Sequence, residues 1–131
     1  MIKDPVTVKA KRPVNLDLRT FSYPPTAIVS ILHRISGIIL FLLLPFVMYL
    51  WQLSLASFST FSDLQIMMHG FGTKMALWAF GSAMIYHGLA GVRHLLSDWD
   101  WGDRLPEARW TAYGVMGLSA ILILFLGLLL W

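Results

Sequence analysis

Polar side chains that could bind a ligand interrupt two long apolar runs of this 131-residue chain. In the first run, Ser30 and Arg34 are four residues apart, so they share one face of a helix, with His33 beside them. A hydroxyl and a guanidinium at one depth form a group of donors suited to a carbonyl oxygen or a carboxylate. Alternatively, Arg34 extends to lipid headgroups and Ser30 hydrogen bonds to its own helix.

The second run contains His87, Arg93 and His94, and its two histidines are two helical turns apart on one face. Gly88 and Gly91 flank that face and would let another helix or a flat macrocycle approach the backbone closely. A neutral imidazole is a good axial ligand for haem iron, so this pattern is compatible with a haem site. The alternative is that His87 hydrogen bonds to a neighbouring helix.

A haem site here would need a second histidine from another helix. His87 and His94 project from the same side of one helix about 10 Å apart, so they cannot ligate the two faces of one haem. His33 is a possible second ligand, but it is closer to the membrane surface than His87, and His69 is at the wrong end of the membrane. A partner chain is the simpler source.

The composition of the chain is that of a membrane protein. It is 57% hydrophobic and 13% charged, whereas soluble domains have about 25% charged residues. Three apolar runs, at about 27–53, 71–97 and 110–131, are long enough to cross a bilayer. They predict an all-α fold of three transmembrane helices in a larger bundle, preceded by an N-terminal arm at residues 1–26. A net charge of +3 does not suggest nucleic acid, and the absence of Cys assigns any iron–sulfur centre to another chain.

Lysine and arginine predict the orientation of the spans. The connection at about 54–70 has neither residue, and the second connection has Arg104 and Arg109. The positive-inside rule then predicts a cytoplasmic N-terminus and a periplasmic C-terminus, so the two polar clusters lie in the cytoplasmic half of the membrane. Since no signal-peptide h-region or cleavage site is evident, we expect a retained arm and a bacterial inner membrane. The basic residues of the arm are Lys3, Lys9, Lys11, Arg12 and Arg19.

Three sequence segments are shared with a known family. These are RPVNLDL at 12–18, SILHRISG at 30–37 and HGLAGVRHLLSD at 87–98, the last containing the pattern H-x-x-x-G-x-R-H. Together they resemble the cytochrome b556 membrane-anchor subunits of succinate dehydrogenase. The resemblance covers the whole chain in length, number of spans and order of motifs.

The resemblance implies one of two small anchors that hold a flavoprotein and an iron–sulfur subunit at the cytoplasmic face. The position matching His87 is an axial ligand of haem b in that family, and the second anchor supplies the other ligand. The positions matching Ser30 and Arg34 line the ubiquinone site, which the second anchor and the iron–sulfur subunit complete. His33 and His94 match positions near the haem propionates. Such a subunit passes electrons to quinone in the respiratory chain and the tricarboxylic acid cycle but does not catalyse alone.

Two other functions are compatible with the residues. One is a haem-free, quinone-binding anchor of a fumarate reductase, which the glycine-flanked His87 disfavours. The other is a structural membrane adaptor with no redox role. The adaptor predicts that Ser30, Arg34 and His87 tolerate substitution unless the stability of the protein falls.

Overall fold

Four helices make up the computed structural model, which describes residues 23–102 and 104–131. Three of the helices are long and apolar enough to cross a membrane, and the described residues form no strand. The prediction of an all-α protein with three transmembrane helices is therefore confirmed. Most of the predicted N-terminal arm, together with the segment at 12–18, lies outside the described residues. The helices are α1 (Pro25–Ala56), α2 (Phe58–Met68), α3 (Phe71–Asp98) and α4 (Leu105–Leu130).

Prolines begin two of the long helices. Pro25 is the first residue of α1 and Pro106 lies at the start of α4, where a helix has unpaired N–H groups and a missing one costs nothing. Pro45 lies inside α1, which continues through it. With 32 residues, α1 is about 48 Å long and exceeds a hydrocarbon core of about 30 Å. Its ends therefore extend beyond the core.

The connection between α1 and α3 contains the helix α2, which the sequence did not predict. Ser57 caps this helix: its side chain accepts a hydrogen bond from the backbone N–H of Thr60 (3.2 Å), and the Thr60 hydroxyl accepts one from the N–H of Ser57 (3.0 Å). This reciprocal arrangement is a capping box. The sequence analysis assigned no helix to 54–70, and the clustered Ser and Thr residues there are also typical of helix starts.

Small residues bring the three long helices together. Val29 of α1, Ala90 of α3 and Ala112 of α4 form the buried core, and none of them is large. Gly81 of α3 faces α4 so closely that an added Cβ would lie 2.7 Å from Cδ2 of Leu126. Transmembrane helices associate through such close approach, since lipid gives little hydrophobic force between them. The large apolar side chains remain on the outside, available to lipid or to partner helices.

Polar contacts fix α3 against its two neighbours. Arg93 donates a hydrogen bond from Nε to the hydroxyl of Thr111 (3.1 Å) and one from Nη2 to the carbonyl of Ala108 (3.2 Å), which joins α3 to α4. On the α1 side, the Tyr86 hydroxyl donates to the carbonyl of Val29 at 3.4 Å. The Tyr86 contact helps to set the register of α1 and α3, which carry all five residues that the sequence analysis selected.

Thr111→Val should weaken the packing of α3 against α4. Valine keeps the shape of threonine but removes the oxygen that accepts from Arg93, and hydrogen bonds between transmembrane helices contribute about 0.6 kcal/mol on average. We expect a small fall in the thermal denaturation midpoint of the purified protein. Ser119→Ala is the control, because within the described residues that hydroxyl bonds only to its own helix. Equal midpoints for the two variants would contradict this role of Thr111.

Candidate functional site

Two of the predicted histidines stack on each other across the α1–α3 contact. The ring centroids of His33 and His87 are 4.1 Å apart and the ring planes differ by 21°. Gly37 permits this approach, since a Cβ there would lie 3.2 Å from Cε1 of His87. Rings in direct contact leave no room for a macrocycle between them. His33 and His87 therefore cannot ligate opposite faces of one haem in this arrangement, and the possibility that His33 is the second ligand is set aside.

Nδ1 of His87 is held by two oxygen atoms of α1. It lies 3.1 Å from the backbone carbonyl of His33 and 3.1 Å from the hydroxyl of Ser36. A carbonyl can only accept a hydrogen bond, so Nδ1 carries the proton, and the lone pair of the neutral ring is on Nε2. Among the described residues, no group hydrogen bonds to that Nε2. His87 therefore does hydrogen bond to a neighbouring helix, which was the alternative to a haem ligand. It does so through Nδ1, which leaves Nε2 free for a metal.

Four of the five predicted residues meet at one small cavity between α1 and α3. Its volume is about 190 Å³, and a ring of positively charged or neutral donor groups surrounds it with no acidic side chain. Such a set of donors suits an anion or a carbonyl oxygen. The lining residues are Val29, Ser30, His33, Arg34, Ala90, Arg93 and His94. His87 does not line this cavity. Its ring stacks on that of His33, which does.

One nitrogen at this cavity lacks the partner that its burial requires. Nε2 of His33 is buried and has no hydrogen bond within residues 23–102 and 104–131. A buried polar atom left without a partner costs about 1–3 kcal/mol, so such an atom points to a group from outside the chain. Gly91 leaves space beside this nitrogen, since a Cβ there would lie 3.6 Å from it, in van der Waals contact.

The predicted donors Ser30 and Arg34 are also available to a ligand. Both are exposed, and neither forms a hydrogen bond within the part of the chain that the structure describes. The alternative in which Ser30 bonds to its own helix is therefore not found. Both side chains line the small cavity, so their donors are available to a molecule bound there.

A larger cavity lies next to the first one, at the end of the bundle where α1 and α4 begin and α3 ends. It has a volume of about 600 Å³, and Arg93 lines both cavities. The small cavity is therefore close to one aqueous end of the bundle. The lining of the larger cavity is Pro24, Pro25, Thr26, Arg93, Ser97, Leu105, Ala108 and Arg109.

Comparison with known proteins identifies the family. Residues 9–126 match the family described as succinate dehydrogenase/fumarate reductase transmembrane subunit. The chain is 45% identical, over 95% of its length and all of the relative, to the succinate dehydrogenase cytochrome b556 subunit of Coxiella burnetii. It is 30% identical to the subunit of that name from Rickettsia typhi, over 88% of this chain and 90% of the relative. The chain belongs to the succinate dehydrogenase/fumarate reductase transmembrane subunit family. The resemblance drawn from the motifs is confirmed.

Within this family member, sequence reasoning missed Ser36 and gave Arg93 no role. Ser36 is a hydroxyl in the middle of an apolar run, three residues after His33, and that spacing is a signal that could have found it. Its partner on α3 depends on how the helices pack. Arg93 is part of the H-x-x-x-G-x-R-H pattern. Its side chain hydrogen bonds α3 to α4 and lines the cavity.

Proposed function

We propose that this chain is a haem-binding membrane anchor of a succinate dehydrogenase and forms part of the site that reduces ubiquinone. The observation that carries the proposal is the state of His87: Nδ1 is hydrogen bonded to α1, and Nε2 has no partner among the described residues. A ligating histidine usually donates its other ring N–H to a backbone carbonyl or a carboxylate, as His87 does here. The cytochrome b556 relatives support this assignment.

The residues of this chain would hold haem b at two places. His87 would ligate the iron through Nε2, and His33 and His94 would contact the propionates. The unpartnered Nε2 of His33 supports this, because a propionate oxygen would satisfy it. When bound, haem b supplies a carrier that takes and gives one electron. A second small anchor would supply the other ligand of the iron, since the ring of His33 is stacked on that of His87.

Ser30 and Arg34 would bind the quinone at the small cavity. Reduction of ubiquinone to ubiquinol takes up two electrons and two protons, and negative charge develops on a carbonyl oxygen. The Ser30 hydroxyl can polarise that carbonyl by donating a hydrogen bond, and the Arg34 guanidinium favours the negative charge. Protons can reach the site through water because it lies near one end of the bundle. The second anchor and the iron–sulfur subunit would complete the site.

The same end of the bundle would face the cytoplasm and the peripheral subunits. Arg104 and Arg109 lie at the start of α4, and the positive-inside rule assigns this end to the cytoplasm of a bacterial inner membrane. An iron–sulfur subunit docked there, carrying electrons from a flavoprotein, would be next to Ser30 and Arg34. The C-terminus would then be periplasmic.

An optical spectrum of the complex purified through a tag on this chain tests the proposal. We expect a b-type haem in the dithionite-reduced minus oxidised difference spectrum, together with the flavoprotein and the iron–sulfur subunit. A complex that reduces quinone without haem would instead indicate the anchor of a fumarate reductase. A preparation with no haem, no activity and no flavoprotein would indicate a structural adaptor.

Gly37→Val should lower the haem content of the complex. Even a Cβ at this position would lie 3.2 Å from the His87 ring, and the branched side chain of valine would push the ring away from its place. Loss of an outer contact of a metal ligand typically costs 10- to 100-fold in affinity, so we expect roughly tenfold weaker haem binding. Haem per flavin measures the effect. Gly117→Val is the control, because no described residue outside the local helix backbone comes within 4 Å of a Cβ there. Equal haem content in the two variants would contradict the prediction.

A further inference from the structure

We propose that Ser36 is a positioning residue for His87, which fixes the orientation of the imidazole ring and the nitrogen that carries its proton. This inference rests on the proposed function, in which His87 ligates iron. Ser36 is only 5% exposed and lies on α1, one turn after His33. Its hydroxyl lies 3.1 Å from Nδ1 of His87 on α3, so it is the one side chain of the described residues that hydrogen bonds to that ring.

The hydrogen-bond pattern determines the direction of each bond. The Ser36 hydroxyl donates its single proton to the carbonyl of His33 at 2.7 Å. Its oxygen is then left to accept from Nδ1 of His87, which also donates to the same carbonyl. If the Ser36 proton pointed at Nδ1 instead, the lone pair of Nδ1 would face the carbonyl oxygen at 3.1 Å. That contact between two acceptors is repulsive, so the arrangement excludes the tautomer in which Nε2 is protonated.

Ser36 adds something that the carbonyl of His33 alone does not provide. One acceptor fixes one direction of the Nδ1–H bond and leaves the ring able to tilt about it. A second acceptor on the same nitrogen, with the stacked ring of His33 on one face, restricts that tilt. Acceptors at Nδ1–H also make an imidazole a more basic ligand, which favours ferric over ferrous iron.

A purely local role would make Ser36 equivalent to another serine of this chain. Ser119 on α4 is just as buried, at 3% exposed, and its hydroxyl also donates to the carbonyl three residues earlier, that of Met116, at 3.0 Å. No residue of another helix bonds to Ser119 within the described part of the chain. Ser119→Ala therefore removes the same intrahelical bond and the same volume without touching His87.

The test uses the purified complex and compares Ser36→Ala with Ser119→Ala. The readouts are the reduction potential of the haem and the electron paramagnetic resonance g-values of its oxidised form, which depend on how the axial rings are oriented. We expect Ser36→Ala to favour ferrous haem by about tenfold, the lower end for outer contacts of a ligand because the His33 carbonyl remains. For a one-electron couple this is a rise of about 59 mV. The g-values should shift or broaden, and Ser119→Ala should match the wild type in both readouts.

A second pair of variants separates the hydroxyl from the volume of the side chain. Ser36→Thr and Ser36→Val have nearly the same shape, but only threonine keeps an oxygen that can bond both the helix carbonyl and Nδ1. We expect a more positive potential in Ser36→Val than in Ser36→Thr. The inference is overturned if these two variants have the same potential and Ser36→Ala matches Ser119→Ala. If the wild-type complex contains no haem, the proposed function itself fails. If His87→Ala removes the haem but the Ser36 variants leave its potential and g-values unchanged, only this inference is overturned.

Discussion

His87→Ala is expected to remove the b-type haem from the complex. Nδ1 of His87 is hydrogen bonded to α1, and its Nε2 has no hydrogen bond within the described residues. Alanine supplies no lone pair, so this chain would no longer ligate the iron. We expect the α-band of the reduced minus oxidised spectrum to fall with the haem content. Haem per flavin should fall at least tenfold, since removing even an outer contact of a ligand costs 10- to 100-fold.

The matched control is His69→Ala, which changes a histidine at the opposite end of the bundle. His69 is exposed at the end of α2, next to the start of α3, whereas His87 lies in the second half of α3. This variant should keep the wild-type spectrum, which would exclude a general effect of losing a histidine. A wild-type haem spectrum in His87→Ala would rule out the axial assignment. The remaining role of His87 would then be the hydrogen bond that joins α3 to α1.

The grouping of the site residues was predictable because helix geometry is regular. Ser30, His33 and Arg34 are within one turn of each other, and the orientation of the spans put His94 at the same depth. These four residues do line one cavity. The prediction needed only the period of a helix and the direction of each span. No information on how the helices pack was required.

The contacts across the α1–α3 interface were not predictable in the same way. The sequence allowed His33 to be a second ligand, and only the rotation of α1 against α3 brings its ring flat onto His87. Ser36 was missed for the same reason, because its bond to His87 spans 51 residues of sequence. Both depend on how closely the two helices approach, which Gly37 and other small residues decide. Single-helix patterns contain no measure of that distance.

Arg34→Leu should strongly impair quinone reduction while the flavoprotein remains active. The guanidinium lines the small cavity, where it would favour negative charge on a bound quinone oxygen, and its side chain forms no hydrogen bond within the described residues that would hold it elsewhere. Removing one preorganised donor to a developing oxyanion costs about 100-fold in other enzymes, so we expect a loss of about that size. Ser30→Ala removes a neutral donor, worth about 0.5–1.5 kcal/mol, and should reduce the rate about threefold to tenfold. Ubiquinone reduction by succinate is compared with succinate oxidation by an artificial acceptor.

Two further variants separate the roles of charge, geometry and assembly. Arg34→Lys keeps the positive charge but not the planar fork of donors, so an intermediate rate would mean that the orientation of the guanidinium matters as well as its charge. Ser62→Ala changes an exposed serine of α2, away from the cavity, and should leave both activities at the wild-type level. If Arg34→Leu and Ser30→Ala lowered both activities equally, the defect would be one of assembly, because electron delivery to an artificial acceptor does not need the quinone site. Unchanged quinone reduction in both variants would remove these residues from the site and leave lipid headgroups as the partner of Arg34.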